Sequence, residues 1–325
     1  MSRILTGVQS TGRPHMGNIL GAIIPAIELA NNPENDSFLF IADLHSLTQI
    51  KDPKTLSENT LQVAAAWLAC GLDPNKTTFY RQSDVPQCTE LAWYLNCFFP
   101  YQRLKLAHSF KDKSDRLEDI NSGLFTYPML MASDILLYDA NYVPVGKDQL
   151  QHLEMARDVA SRVNNKYGEI FVIPEVKLKE NTQLIPGTDG EKMSKSRENT
   201  IDLFQDPKQI KKIINKKIIT DDTPLEAPKD PQSSTVYQLF QLIASPQKSL
   251  KMKENLKAGG YGWGHAKKEL VDELVTSFAP QREKFNYYIN SPSEVENILL
   301  KGAEKAKKVA NATLNRFRKT LGYNI

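Results

Sequence analysis

Two polar clusters, far apart in the chain, carry side chains suited to holding phosphate. The first is Gly7-Val8-Gln9-Ser10-Thr11-Gly12-Arg13-Pro14-His15-Met16-Gly17-Asn18, a glycine-bearing turn that leads into a helical run. Its glycines let backbone approach a ligand, its hydroxyls donate hydrogen bonds, and a helix N-terminus favours anions. It fits neither the Walker pattern nor G-x-G-x-x-G, and a turn with capping residues is the plain alternative. The second cluster is Glu191-Lys192-Met193-Ser194-Lys195-Ser196-Arg197, preceded by the turn Pro186-Gly187-Thr188-Asp189-Gly190. Two lysines and two serines on one loop can follow a polyphosphate as negative charge moves between its oxygens.

A third segment, Tyr127-Pro128-Met129-Leu130-Met131-Ala132-Ser133-Asp134-Ile135-Leu136-Leu137-Tyr138, reads as a helix with Pro128 in its first turn. Helical spacing sets Tyr127, Met131, Asp134 and Tyr138 on one face. Asp134 is anomalous there, because a carboxylate among apolar residues is costly until it finds a donor, either in the protein or on a ligand. A fourth segment, Val143-Pro144-Val145-Gly146-Lys147-Asp148-Gln149-Leu150-Gln151-His152, offers a capping box of Asp148 with Gln151. The same corner is where a nucleotide sits on a parallel sheet.

Strand-like runs at Ile4–Val8, Ser37–Asp43, Thr77–Arg81 and Asn141–Val145 alternate with helical patterns at Met16–Ala30, Thr55–Cys70, Cys88–Phe98 and Ser122–Tyr138. That rhythm predicts an α/β fold with a Rossmann-like parallel sheet, whose ligands bind beyond the carboxyl ends of the strands, just after Val8, Asp43 and Val145. Beyond Asn199 the pattern becomes all-helical, with helices expected over Asp206–Ile219, Ser234–Ala244, Ala266–Ile289 and Ser293–Thr320. The expected division is a catalytic domain at 1–200, a helical domain at 201–295 and a basic helix at 296–325 that packs back on the first domain.

The chain has 325 residues and a formal charge of only +3, but its C-terminal stretch gathers Lys301, Lys305, Lys307, Lys308, Arg316, Arg318 and Lys319 against Glu304. Such a run is either a solvated helix face or a surface for nucleic acid. Cys70, Cys88 and Cys97 form no C-x-x-C pair, so no zinc ribbon or disulfide framework is expected, and a reducing cytoplasm fits. No apolar run reaches the ~20 residues needed to cross a bilayer, and Met1–Gln9 lacks the layout of a signal peptide.

Lys-Met-Ser-Lys-Ser at 192–196, far downstream of the His15 turn, resembles the paired ATP motifs of class I aminoacyl-tRNA synthetases. With Thr126–Tyr138, Val143–Glu154, Gly260-Tyr261-Gly262 and Gly302-Ala303-Glu304-Lys305-Ala306, nearly the whole chain resembles the tryptophanyl-tRNA synthetases of bacterial and organellar type. The resemblance implies ATP-dependent activation of L-tryptophan and its transfer to tRNA(Trp). It implies ATP contacts at Gln9, Ser10, Thr11, Gly17, Asn18, Gly146, Lys147, Asp148, Ile185, Lys192, Met193, Ser194, Lys195 and Ser196, with His15, Asn18, Lys192 and Lys195 carrying the catalysis. Asn18 replaces the final histidine of the nucleotide motif, and Lys147 stands where many relatives carry an acidic residue.

For tryptophan, the resemblance points to Asp134 accepting the indole N–H, Met131 packing on the ring, and Tyr127 and Gln149 holding the amino group. His45 is either a substrate contact or a satisfied structural histidine. Magnesium held on phosphate oxygens and a homodimer are further implications, with no dedicated metal site in the protein. A tyrosyl-tRNA synthetase shares these motifs. A nucleotidylyltransferase would leave the basic helical part unused, and a noncatalytic RNA-binding paralogue would leave Lys192–Ser196 and Asp134 unexplained.

Overall fold

The computed structural model describes residues 1–107, 120–146, 149–178 and 184–323. Lys147 and Asp148, and with Asp148 the expected capping box, lie outside the described residues. Five strands, β1 (Ser2–Val8), β2 (Asn35–Ile41), β3 (Thr78–Arg81), β4 (Tyr142–Val145) and β5 (Glu175–Leu178), form one sheet in the order β3-β2-β1-β4-β5. Every pairing is parallel, with Ile4 opposite Tyr142 and Phe38 opposite Thr78 among the registered pairs. The chain winds outward in both directions from β1, so the order reverses between β1 and β4. That switch point opens a crevice at the strands' carboxyl ends.

The run Ser37–Ile41 is buried throughout because both faces of the sheet are covered. Leu39 and Ile41 point to one cluster with Met16, Trp67 and Phe79, while Phe38 and Phe40 point to the other with Tyr80, Leu136 and Phe317. This two-residue alternation is the pleat at work. The first cluster continues without interruption through Met193, Ile201 and Phe204 to Ile210, Ile214 and Leu270. The helices after Asn199 therefore share their apolar interior with the helical run that starts at Met16.

Where the sequence spaced apolar residues regularly, the helices agree with expectation, as at Pro53–Ala69, Gln87–Phe98 and Pro207–Lys217. Five local features differ. The edge strand β5 has too short an alternation to read, and the helices Leu150–Tyr167 and Pro246–Ala258 were not anticipated. The stretch expected as one helix over Ala266–Ile289 is two, Trp263–Ser277 and Ala279–Asn290, broken at Phe278 with Pro280 in the first turn of the second. A proline cannot donate the hydrogen bond that would continue the first helix. Pro128 does not sit in a first turn: it lies inside Ser122–Leu136, whose N-cap Asn121 accepts from Leu124 N–H, so one rung of that helix is missing beside Tyr127.

The long final helix, Pro292–Thr320, lies directly on β3. At Gly302 a Cβ would stand 1.7 Å from the Phe79 carbonyl oxygen, so the two backbones meet where only glycine fits. Ala303, Ala306 and Ala310 continue the narrow buried stripe. The basic run is divided in use. Arg316 pairs with Asp139 at 2.7 Å and Arg318 pairs with Glu90, whereas Lys301, Lys305, Lys308 and Lys319 stay exposed.

Candidate active site

The turn after β1 and the lysine loop are brought into contact. Gly12 has φ +100, a left-handed conformation that suits glycine, and with it the turn reverses before the helix. Beside it, Lys195 Nζ donates to the Thr11 carbonyl at 2.8 Å. Met16 N–H donates to the Ile201 carbonyl at 2.8 Å, and Gly17 N–H lies 3.3 Å from Met193 Sδ. Met193 is the buried peg of the loop, while Lys192 and Lys195 on either side are exposed.

Asn199 holds the loop from behind. Its amide oxygen accepts from Ser194 N–H at 2.8 Å, and its Nδ2 donates to Asp189 Oδ1 at 2.7 Å and to the Lys192 carbonyl at 3.1 Å. The turn closes through Glu198 at φ 54, a left-handed non-glycine residue of the kind found where a functional loop is held in tension.

A cavity of about 500 Å³ lies between these pieces. It is lined by Thr11, His15, Gly17, Asn18, Ile185 and Lys192 through Ser196, all anticipated from sequence, together with Gly21, Ala22 and Leu184, which were not. Gly21 and Ala22 lie one helical turn beyond Gly17 and Asn18, in a π-helical turn, Ile19–Ile23, that widens the helix at the cavity wall. Ser10 is fully buried and hydrogen-bonds to Ser46 through both its N–H and its hydroxyl, so it braces the turn rather than lining the cavity. Gln9 and Gly146 stand at the ends of β1 and β4, outside that lining.

His15 and Asn18 cap one another. Asn18 N–H donates to His15 Nδ1 at 3.3 Å and His15 N–H to Asn18 Oδ1 at 3.2 Å. With Nδ1 accepting, the ring proton belongs on Nε2, which makes His15 a neutral donor at the cavity wall. Burial, reinforced by nearby Lys195, pushes its pKa down to about 4. Desolvation also lowers Lys195, with Asp202 opposing that shift.

The second centre is buried. Asp134 is 3% exposed, and its carboxylate meets no arginine or lysine among the described residues. His45 Nε2 lies 2.8 Å from Oδ2, and Gln82 Nε2 donates to Oδ1 at 2.8 Å and to Oδ2 at 2.9 Å. Burial pushes the Asp134 pKa above the ordinary carboxylate range, and the hydrogen bonds from His45 and Gln82 pull against that rise.

His45 therefore has a structural partner. Its ring also meets Tyr127 edge-on, with centroids 6.1 Å apart, and the Tyr127 hydroxyl shares a 2.5 Å hydrogen bond with His152 Nε2. Met131 is half-buried on the same helix as Asp134, and Gln149 flanks the helix that begins at Leu150. Gln82 stands at the carboxyl end of β3, where the sequence motifs place no site, and His152 closes the fourth segment with no role assigned to it from sequence.

The arrangement combines a cation-rimmed cavity beyond the carboxyl end of β1 with a buried acceptor on the helix Ser122–Leu136. Residues 1–279 match the family of class I tRNA synthetases (W and Y). The chain belongs to that family. It is 44% identical over 329 residues to the tryptophan–tRNA ligase of Neisseria meningitidis serogroup A, covering 98% of this chain and 97% of the relative. Among solved structures, it is similar to the tryptophanyl-tRNA synthetase of Campylobacter jejuni complexed with ADP and tryptophan, with TM-score 0.94, 42% identity, and coverage of 98% of this chain and 99% of that one. It is also similar to the Mycoplasma pneumoniae tryptophanyl-tRNA synthetase, with TM-score 0.82, 29% identity, and coverage of 100% and 98%.

Proposed function

We propose that this chain is a tryptophan–tRNA ligase, activating L-tryptophan with ATP to tryptophanyl-adenylate and passing the tryptophanyl group to the 3′ end of tRNA(Trp). The observation that carries this reading is the buried Asp134 carboxylate, held by His45 and Gln82 and by no arginine or lysine among the described residues, in a member of the W and Y family. Such a group can accept an indole N–H or a phenol O–H, and the 44% identity to a tryptophan–tRNA ligase favours the indole. Sites built to bond a substrate N–H or O–H reject analogues lacking it by about 10⁴–10⁵.

The tryptophan carboxylate attacks the α-phosphorus and pyrophosphate leaves. The substrate brings its own nucleophile, so the protein supplies alignment and positive charge. Lys192 and Lys195 face the charge that gathers on the departing pyrophosphate, with Ser194 and Ser196 as further donors. The neutral His15 and Asn18 donate from the opposite wall. Gly17, Ile185 and Met193 shape the nucleotide end, and Gln9, Thr11, Gly146, Lys147 and Asp148 complete its contacts. Met131 packs on the indole, and Tyr127 and Gln149 hold the amino group. Magnesium would accompany ATP, carried on its phosphate oxygens.

Residues 1–200 form the catalytic part, 201–295 the part that takes the anticodon arm, and 296–325 the basic helix that ties the chain back to the sheet. Lys208, Lys211, Lys212, Lys216 and Lys217 are exposed around Ile210 and Ile214, which favours a phosphate-bearing partner. Trp93, Tyr101 and Leu106 are 68%, 61% and 60% exposed on consecutive elements, apolar surface that supports a homodimer. A cytoplasmic setting fits the three free cysteines, and no described helix is long and apolar enough to cross a membrane. Amino-acid-dependent ATP–pyrophosphate exchange, run with each of the twenty amino acids, tests the activity. Exchange with tryptophan alone is expected, and a preference for tyrosine would overturn the reading.

A further inference from the structure

The Asp134 carboxylate does not hold its place alone. Gln82 is 1% exposed in the short turn Gln82–Asp84 that follows β3, and both ends of its amide are committed. Oε1 accepts from Leu44 N–H at 3.2 Å, while Nε2 donates to both Asp134 oxygens at 2.8 and 2.9 Å. Rotating the amide by half a turn would set N–H against N–H and oxygen against carboxylate, so its orientation is fixed from two sides. His45, one residue beyond Leu44 on the turn after β2, supplies the contact to Oδ2. The carboxyl ends of two adjacent parallel strands thus clamp one side chain on a third element.

The balance of donors gives the clamp a chemical consequence. A carboxylate has about four acceptor positions, and Gln82 and His45 account for one on Oδ1 and two on Oδ2. Among the described residues one position remains, on Oδ1. A lysine or arginine in place of Gln82 would neutralise the charge, whereas a neutral amide orients the carboxylate and leaves its charge available to a further donor.

Resting on the reading that Asp134 takes the indole N–H, we propose that Gln82 is a specificity-determining positioning residue: it holds Asp134 so that a single oxygen position stays open to one N–H donor. Gln82 itself does not touch substrate. Leu44 N–H also donates to Asp43 Oδ1 at 3.1 Å, so the clamp is tied to the start of the turn after β2.

The test compares tryptophan with 3-(benzothiophen-3-yl)alanine, an isostere without the ring N–H, by pyrophosphate exchange in the parent, Gln82→Met, Gln82→Glu and Asp134→Ala. Gln82→Met should lower the preference for tryptophan at least tenfold through KM for tryptophan, with KM for ATP within twofold. Gln82→Glu keeps the acceptor for Leu44 N–H but sets a second carboxylate against Asp134. The two share a proton at low pH and repel when both ionise, so KM for tryptophan should climb tenfold or more from pH 6 to pH 9 relative to the parent.

Tyr80, Tyr138, Cys88, Asp43 and His45 are the other titratable groups around the carboxylate, and burial drives the two phenols and the thiol upward. The parent profile removes the contributions of Asp43 and His45. An unchanged preference in Gln82→Met together with a parent-like pH profile in Gln82→Glu overturns the inference, and Gln82→Glu alone decides should Gln82→Met fail to fold. If Asp134→Ala keeps the preference, the underlying reading of Asp134 is what fails. If Asp134→Ala loses it while both Gln82 variants keep it, only the role of Gln82 falls.

Discussion

The proposed phosphate side and the proposed indole side of the site are built on opposite principles. Lys192, Lys195, Ser194 and Ser196 ride on a loop tied down by the buried Met193, by Asn199 and by one lysine contact to a backbone carbonyl. Their charges stay near solvent, free to redistribute as a polyphosphate changes shape. Asp134 is enclosed, oriented by Gln82 and His45, and, among the described residues, left with one open acceptor position. A leaving group that changes charge needs adaptable cations, whereas a ring that must be told from its isosteres needs a fixed acceptor. The comparison predicts that the two sides fail separately when mutated.

Asp134→Ala should produce the largest effect, a fall of about 10⁴ in kcat/KM for tryptophan with KM for ATP nearly unchanged, measured by pyrophosphate exchange. Lys195→Ala should lower kcat for exchange by about 10²–10³ while leaving tryptophan affinity intact, because in the proposed mechanism its charge serves the transition state. Gly302→Ala, away from both sides, drives a methyl into the Phe79 carbonyl and should cost about 1–3 kcal/mol in urea denaturation, with little change in KM for either substrate. Asn199→Ala removes the tether behind the lysine loop and should slow exchange about tenfold, a misplacement effect confined to the phosphate side.

The smallest effect concerns His15. Its folded pKa of about 4 lies below the ordinary 6.5, so as pH falls the unfolded chain takes up that proton first. The stability tied to its neutral form is complete above pH 6.5 and is lost as pH drops through 4. His15→Gln should therefore flatten the decline of the urea midpoint between pH 6.5 and 4.5, and the His15 ring should show no titration by NMR between pH 7 and 5.5.

Much of the proposed phosphate side is legible in the sequence because its residues are local. Glycines, hydroxyls and a Lys-Met-Ser-Lys-Ser run announce themselves within a few residues, and the sheet rule says which strand ends bring them together. Asp134 was legible as a misfit on an apolar helix face. Gln82 was not, since a lone glutamine after a four-residue strand carries no pattern, and its role exists only once β2 and β3 lie side by side. Ser10 illustrates the converse: its hydroxyl fits the motif, yet Ser46 from the turn after β2 claims it. The sequence spacing that suggested one helix over Ala266–Ile289 was genuine apolar periodicity, overridden at Phe278 by the proline two residues on.

The separation of the two sides is tested most directly by calorimetric titration of L-tryptophan, without nucleotide, into the parent, Lys195→Ala and Asp134→Ala proteins. A preformed indole site predicts equal affinity for the parent and Lys195→Ala, and binding at least a hundredfold weaker for Asp134→Ala. Loss of tryptophan binding in Lys195→Ala, or its retention in Asp134→Ala, would contradict the account.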